Sequence, residues 1–182
     1  MSSKKKSFKA VKGMNDILPV AKDEFLNSAL WDFILKQSMT VLEGYGYSQI
    51  RLPVVEETQL FTRGLGEGTD IVGKEMYTFE DRGGRSLTLR PEGTASAARS
   101  YVENNLDRNN PVQKWWYFGP MYRAERPQKG RYRQFYQIGA EFFGVSSPAS
   151  EAEMLMMLSE LIRGLGIGEV RLRLNTLGDD ES

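Results

Sequence analysis

GPMYRAERPQKGRYRQFYQIGAE, residues 119–141, reads as two β-strands joined by a short, strongly basic loop. Arg123 and Glu125 on the first strand, and Arg131, Arg133, Phe135, Gln137 and Glu141 on the second, all fall at odd positions. The even positions Phe118, Tyr122, Ala124, Tyr136, Ile138, Ala140 and Phe142 are mostly apolar. Successive strand side chains point to opposite sides, so the hairpin lays its even face on a core and turns a cationic, aromatic face toward a ligand.

Outward from the hairpin, residues 20–43 predict a long helix entered through Pro19 and stopped by Gly44 and Gly46. Leu26, Leu30, Phe33, Ile34 and Val41 keep helical spacing on it. Residues 47–52 read as a strand with Pro53 just past it, and residues 76–79 and 86–89 as a hairpin around Asp81-Arg82-Gly83-Gly84. A second helix is expected from Pro91 to residue 104, because proline favours a first helical turn. Ser150 and Glu153 have the spacing of a capping box for a helix reaching Arg163, ended by Gly164 and Gly166, and residues 170–175 read as a last strand. Strands that arrive as hairpins, not singly between helices, imply an α+β fold: an antiparallel β-sheet with helices segregated on one side. Residues 1–12 form a basic N-terminal arm expected to be a mobile, solvated terminus. The sequence stops at LNTLGDDES directly after a strand, which reads as a cut, not a natural end.

Composition narrows the chemistry. A chain of 182 residues fits one domain, burying roughly 70% of its unfolded surface. Its 24 basic and 24 acidic residues cancel, so any polyanion site must be a local cluster. Cysteine and histidine are both absent, which removes disulfides, structural zinc and thiolate or imidazole catalysis; oxygen-ligated ions such as Mg²⁺ remain easy to hold. Apolar stretches fall far short of the ~20 residues that cross a bilayer, and MSSKKKSFKAVKG lacks the apolar segment of a secretory signal, so a cytoplasmic protein with no membrane association is expected.

Residues 123–133 carry five basic residues and one acid, a density that can neutralise a triphosphate. Phe135 offers a surface for a base, and Glu125 a carboxylate for an exocyclic amine. There is no P-loop or glycine-rich strand-to-helix turn, so a nucleotide site here must be built on the sheet. Gln137 and Glu141 lie on the same face, with Gly139 between them opening space for something bound. Glu92 and Thr94 could hold an ammonium group, although Glu92 could equally complement the helix dipole. Two blander readings stand beside this one: a solvated hairpin with surface ion pairs, and an RNA-binding module using Trp115, Trp116, Tyr132 and Tyr136 for stacking.

KGMND at residues 12–16, GYSQIRLP at 46–53, LTLRPEGT at 87–94 and the 119–141 hairpin together resemble histidyl-tRNA synthetase, a class II aminoacyl-tRNA synthetase. Matching segments span nearly the whole chain, in order. The resemblance implies that residues 13–182 are part of a class II catalytic domain, with residues 46–53 as motif 1 and the hairpin as motif 2. Pro53 would then lie at a homodimer interface. Arg123 would be catalytic, contacting the ATP α-phosphate and the substrate carboxylate, while Glu125, Arg131 and Phe135 hold the adenine and outer phosphates. Glu92, Gly93, Thr94 and Gln137 would bind the α-amino end of L-histidine, and Glu141 its imidazole. ATP, Mg²⁺ and tRNA(His) are the implied cofactors and partner. The family's later arginine signature, motif 3 and anticodon-binding domain have no counterpart here, so this piece is expected to be inactive by itself. A histidine-binding regulatory paralogue of ATP phosphoribosyltransferase is the rival the resemblance leaves open.

Overall fold

The computed structural model describes residues 7–65 and 75–175. Its elements, in chain order, are α1 (Ser28–Gly44), β1 (Ser48–Gln49), β2 (Val55–Glu57), α2 (Thr58–Leu65), β3 (Tyr77–Glu80), β4 (Ser86–Leu89), α3 (Thr94–Glu103), α4 (Leu106–Asn109), β5 (Gln113–Tyr122), β6 (Gln134–Phe143) and α5 (Pro148–Gly164). Residues 1–6 of the expected arm and residues 176–182 lie outside the described part.

Two three-stranded sheets carry the fold, in the orders β1-β5-β6 and β2-β4-β3. β5 and β6 pair antiparallel over ten residues, from Gln113↔Phe143 to Tyr122↔Gln134. β1 runs parallel to β5, so the main sheet is mixed, not purely antiparallel as its hairpins imply. The even face of β5 and β6 is indeed the face against the long helices. Trp116, Phe118, Ile138 and Ala140 pack with Val41 and Leu42 of α1, Tyr47, and Met157 of α5. The odd face is not left to solvent. Tyr117, Met121, Phe135 and Phe143 pack there with Ala97 of α3, so helices lie on both sides and not on one. Ser96 and Ala97 make this possible, since small, fully buried residues let α3 approach the strands closely.

Several predicted boundaries move, each for a local reason. The helix expected from residue 20 begins at Ser28, because Asp23 caps a separate 3₁₀ turn at Glu24–Leu26 and Asn27 Oδ1 then accepts from the Ala29 amide at 3.0 Å. The strand expected at 47–52 keeps only Ser48–Gln49. α3 starts at Thr94, leaving Pro91 and Glu92 in front of it. α5 starts at Pro148 with Ser147 as its cap: Ser147 Oγ accepts from the Ser150 amide at 3.2 Å. Glu153, the expected capping-box partner, instead forms an ion pair with Lys114. Residues 170–175 join no sheet among the described residues, and Val170, Leu172 and Leu174 are exposed; alternating apolar residues make a strand only when a neighbour completes the ladder.

Arg90 joins the two sheets. Only 4% exposed, it follows β4, and its amide donates to Val54 O at 2.9 Å while its carbonyl accepts from the Tyr122 amide at 3.0 Å. Its guanidinium donates from Nε to Pro120 O at 3.0 Å, and from Nη1 to Leu52 O at 2.9 Å and Pro53 O at 3.3 Å. Gly119 leaves room for it, since a Cβ there would lie 2.2 Å from Nη2. Replacing Arg90 with leucine strands three carbonyls in a buried site, so we expect a loss of about 3 kcal/mol or more in urea unfolding. Arg90→Lys should recover only part of it, because one ammonium cannot span carbonyls on both sides as the planar fork does.

Candidate active site

The candidate site lies on the odd face of β5 and β6, between the entry to α3 and the basic loop. β6 presents Gln137 and Glu141 two register steps to either side of Gly139. Thr94, the first residue of α3, donates from Oγ1 to Glu141 Oε1 at 2.8 Å. Tyr117, on the neighbouring strand, donates to the same oxygen at 3.2 Å. Burial pushes the Glu141 carboxyl above its ordinary range; these two hydrogen bonds pull it back, and the charge of Glu92 pushes it further up. Burial likewise raises the Tyr117 phenol to about 12, so it stays a donor throughout the working pH range.

Glu92 turns both oxygens on the helix start, accepting from the Thr94 amide and, at 3.1 Å, from the Ala95 amide. Gly93, at the N-cap position, has no side chain to do this. Glu92 is therefore the effective cap of α3, and it holds the Thr94 amide and hydroxyl beside Glu141. Gln137 Oε1 is buried and has no hydrogen-bond partner among the described residues. A buried acceptor left open is uncommon, and here it faces the same surface as Glu141.

The loop chemistry begins one residue past the strands. β5 ends at Tyr122 and β6 begins at Gln134, so Arg123, Glu125, Arg131 and Arg133 sit in the loop and not on the strands as their parity implies. Their order survives because the ladder continues one step, with the Arg123 amide donating to Arg133 O at 3.0 Å. Arg123 donates from Nε to Pro91 O at 3.1 Å, and its guanidinium lies over the Phe135 ring at 5.0 Å. Arg131 reaches Glu125 Oε2 at 3.2 Å, and Arg133 Nε donates to Glu125 O at 3.2 Å. The loop closes through a tight turn from Gln128 to Arg131, where Gly130 takes φ +79°. Gly13 anchors its base, its carbonyl accepting from the amides of Arg133 at 2.8 Å and Gln134 at 3.1 Å.

The structure therefore brings Thr94 and Tyr117 onto Glu141 at one end of a sheet face and Arg123 with Phe135 to the other, with Gln137 between them, next to Phe135 on the same face. Pro53 stands apart, exposed, at the motif that Arg90 grips from below. Sequence reasoning missed Tyr117 altogether. Its odd parity and its place opposite Gly139 were the available signals.

This sheet, with its parallel edge strand, its long basic hairpin and a helix entering over the odd face, is the partial catalytic core of a class II aminoacyl-tRNA synthetase. The sequence model of histidyl-tRNA synthetase matches residues 27–178. The chain is 54% identical over 177 residues to the histidine–tRNA ligase of Alkalilimnicola ehrlichii and 52% identical over 171 residues to that of Solibacter usitatus, matching 97% and 94% of itself. The chain belongs to the histidyl-tRNA synthetase family. It spans about 40% of the length of either relative. The crystal structure of apo S. aureus histidyl-tRNA synthetase superposes with a TM-score of 0.72 at 38% identity, over 89% of this chain and 36% of that one. A Bacillus halodurans structure described as an ATP phosphoribosyltransferase regulatory subunit/histidyl-tRNA synthetase matches at TM-score 0.71 and 25% identity, over 91% of this chain and 40% of its own. Among the described residues no helix is long and apolar enough to cross a membrane.

The raised Glu141 pKa has a stability consequence whose sign is fixed. The folded state binds this proton more tightly than the unfolded state, so the residue's contribution to stability falls as pH rises from its ordinary value of 4.5 through its higher folded value. Glu141→Gln should flatten that part of the stability profile, which thermal unfolding measured across pH 4 to 7 will show.

Proposed function

We propose that this chain supplies the amino-acid and ATP walls of a histidine–tRNA ligase, which joins L-histidine to ATP and then transfers the histidyl group to tRNA(His). The open acceptor of Gln137 carries the reading. A buried amide oxygen with no partner among the described residues, on the same sheet face as Glu141, fits a ligand that brings its own N–H donors. The α-ammonium of an amino acid meets that description, and Thr94 Oγ1 can accept from it while donating to Glu141.

The first step needs no general base, because the amino-acid carboxylate is already ionised at neutral pH. Its oxygen bonds to the α-phosphorus of ATP as the bond to the bridging oxygen breaks, and the electron pair leaves on pyrophosphate. A site without histidine or cysteine therefore suffices. Charge builds on the α-phosphate, and Arg123 is the cation that meets it in this reading, which is supported by the hydrogen bond to Pro91 O and the contact with Phe135 that hold the guanidinium. Phe135 also offers its ring to the adenine, with Glu125 and Arg131 toward the base and outer phosphates. Mg²⁺ neutralises phosphate charge when it enters with ATP. Among the described residues no cluster of three acidic or other ligating side chains comes together to hold it.

In this reading residues 13–182 are part of the catalytic domain behind the basic arm of residues 1–12, Gly93 belongs to the histidine pocket, Pro53 lies at the face of a homodimer, and the enzyme works in the cytoplasm. Identity above 50% to two ligases, against 25% to the protein with a regulatory description, supports ligase over regulator. When this chain replaces the matching segment of the Alkalilimnicola ehrlichii enzyme, histidine-dependent ATP–pyrophosphate exchange should persist, and Arg123→Ala should lower it at least about 100-fold. Exchange near the starting rate in that variant would remove Arg123 from the role. The chain alone should charge no tRNA at a measurable rate.

A further inference from the structure

Tyr117 is 3% exposed and pairs across the ladder with Gly139. A Cβ on Gly139 would lie 2.2 Å from its Cζ and 2.3 Å from its hydroxyl, and a Cβ on Gly93 would lie 2.3 Å from its Cε2. Neither glycine has positive φ, so their backbones do not demand glycine. Space does. The gap at Gly139, expected from sequence to be open for a ligand, is filled by the Tyr117 ring, which is clamped between β6 and the entry to α3.

A ring held this tightly has one place for its hydroxyl. It donates to Glu141 Oε1, which also accepts from Thr94 Oγ1. Two donors on one oxygen hold the carboxylate in a single orientation and leave Oε2, which accepts nothing from the described residues, as the outward acceptor. We propose that Tyr117 is a positioning residue that presents Glu141 to the ligand through one oxygen, selecting a side chain that offers a single N–H, an imidazole, over the two-pronged donor of a guanidinium. A guanidinium needs both carboxylate oxygens for its fork, and one of them is already engaged. The inference rests on the histidine reading above and adds to it a residue and a basis for selectivity.

The test is calorimetric titration of the hybrid enzyme, in which this chain replaces the matching segment of the Alkalilimnicola ehrlichii ligase, with L-histidine and, separately, L-arginine. Tyr117→Phe keeps the ring and fills the same slot, so a pure packing role predicts no change in either affinity. The proposal predicts roughly tenfold weaker histidine binding and a narrower histidine-to-arginine ratio, with the thermal midpoint retained. Added to Glu141→Gln, Tyr117→Phe should weaken histidine binding no further, because the hydroxyl acts only through the carboxylate. Unchanged affinity and ratio in Tyr117→Phe, or a loss that adds in full to that of Glu141→Gln, overturns the proposal. If Tyr117→Phe does not fold, Thr94→Val removes the other donor on Oε1. Its lost ammonium contact weakens both ligands alike, so the ratio reports Glu141 alone, and an unchanged ratio sinks the idea. Failure of the unaltered hybrid enzyme to bind L-histidine refutes the histidine reading itself; binding that is indifferent to Tyr117 refutes only this addition.

Discussion

The arrangement of the site depends on one buried cation. Among the described residues no carboxylate forms an ion pair with Arg90; burial lowers its pKa, and it is held by the carbonyls of Leu52, Pro53 and Pro120. Those carbonyls belong to two separate parts of the chain, the loop after β1 and strand β5. Its own amide and carbonyl meet Val54 and Tyr122, so one residue fixes the distance between the small sheet, the main sheet and the segment that enters α3. Lysine could supply the charge but not the geometry, which needs donors diverging from a rigid plane. The next residue, Pro91, offers the carbonyl that holds Arg123. Pro53 and the proposed phosphate-binding arginine are thereby tied to neighbouring residues of one short segment, and a displacement of that segment moves both.

A second constraint is that both faces of the main sheet are used. The even face buries Trp116 against α1 and α5, which makes β5 and β6 a rigid floor. Rigidity on that side lets the odd face carry polar groups without distorting, because the register of ten paired residues is specified from below. On the odd face, close approach is achieved by removing side chains. Gly93, Gly119 and Gly139 each give way to a larger group, the first and last to Tyr117 and the middle one to Arg90. Glycine in a strand ordinarily weakens it, and here that loss is offset by the packing of a buried aromatic ring and a hydrogen-bonded guanidinium.

The hairpin was legible because a period of two is dictated by the backbone, and ten-residue strands repeat it often enough to read. Parity put Gln137, Glu141 and Phe135 on one face correctly, and the structure keeps them there. What parity could not say is where pairing stops. Arg123 and Arg133 retain the alternation of a strand while lying in the loop, since a single continued hydrogen bond preserves their order. Helix starts were misplaced: the pattern reads the first from Pro19 although Asp23 and Asn27 cap two successive elements beyond it, and the last from Ser150 although Ser147, three residues earlier, is its cap. Which one caps depends on the chain's entry angle, a tertiary matter. β2, with the sequence Val-Glu-Glu, carries no alternation long enough to detect and exists because β4 offers it a partner. Conversely, residues 170–175 alternate well and join no sheet among the described residues.

The polar chemistry of the site divides into groups already engaged and a buried acceptor left open. Glu92 is engaged by the helix start, Glu141 Oε1 by Thr94 and Tyr117, and Glu125 by Arg131 and Arg133. Gln137 Oε1 is buried with no hydrogen bond among the described residues. Leaving a buried acceptor unmet costs about 1–3 kcal/mol. A ligand that arrives with N–H donors recovers that energy, and an analogue lacking them leaves the acceptor as unsatisfied as before. In the proposed function the open oxygen would therefore act on specificity as well as affinity. Set among side chains whose own bonds hold them still, it can discriminate without the protein having to rearrange, because Thr94 and Glu141 are bonded to each other and Arg123 to Pro91 before anything binds.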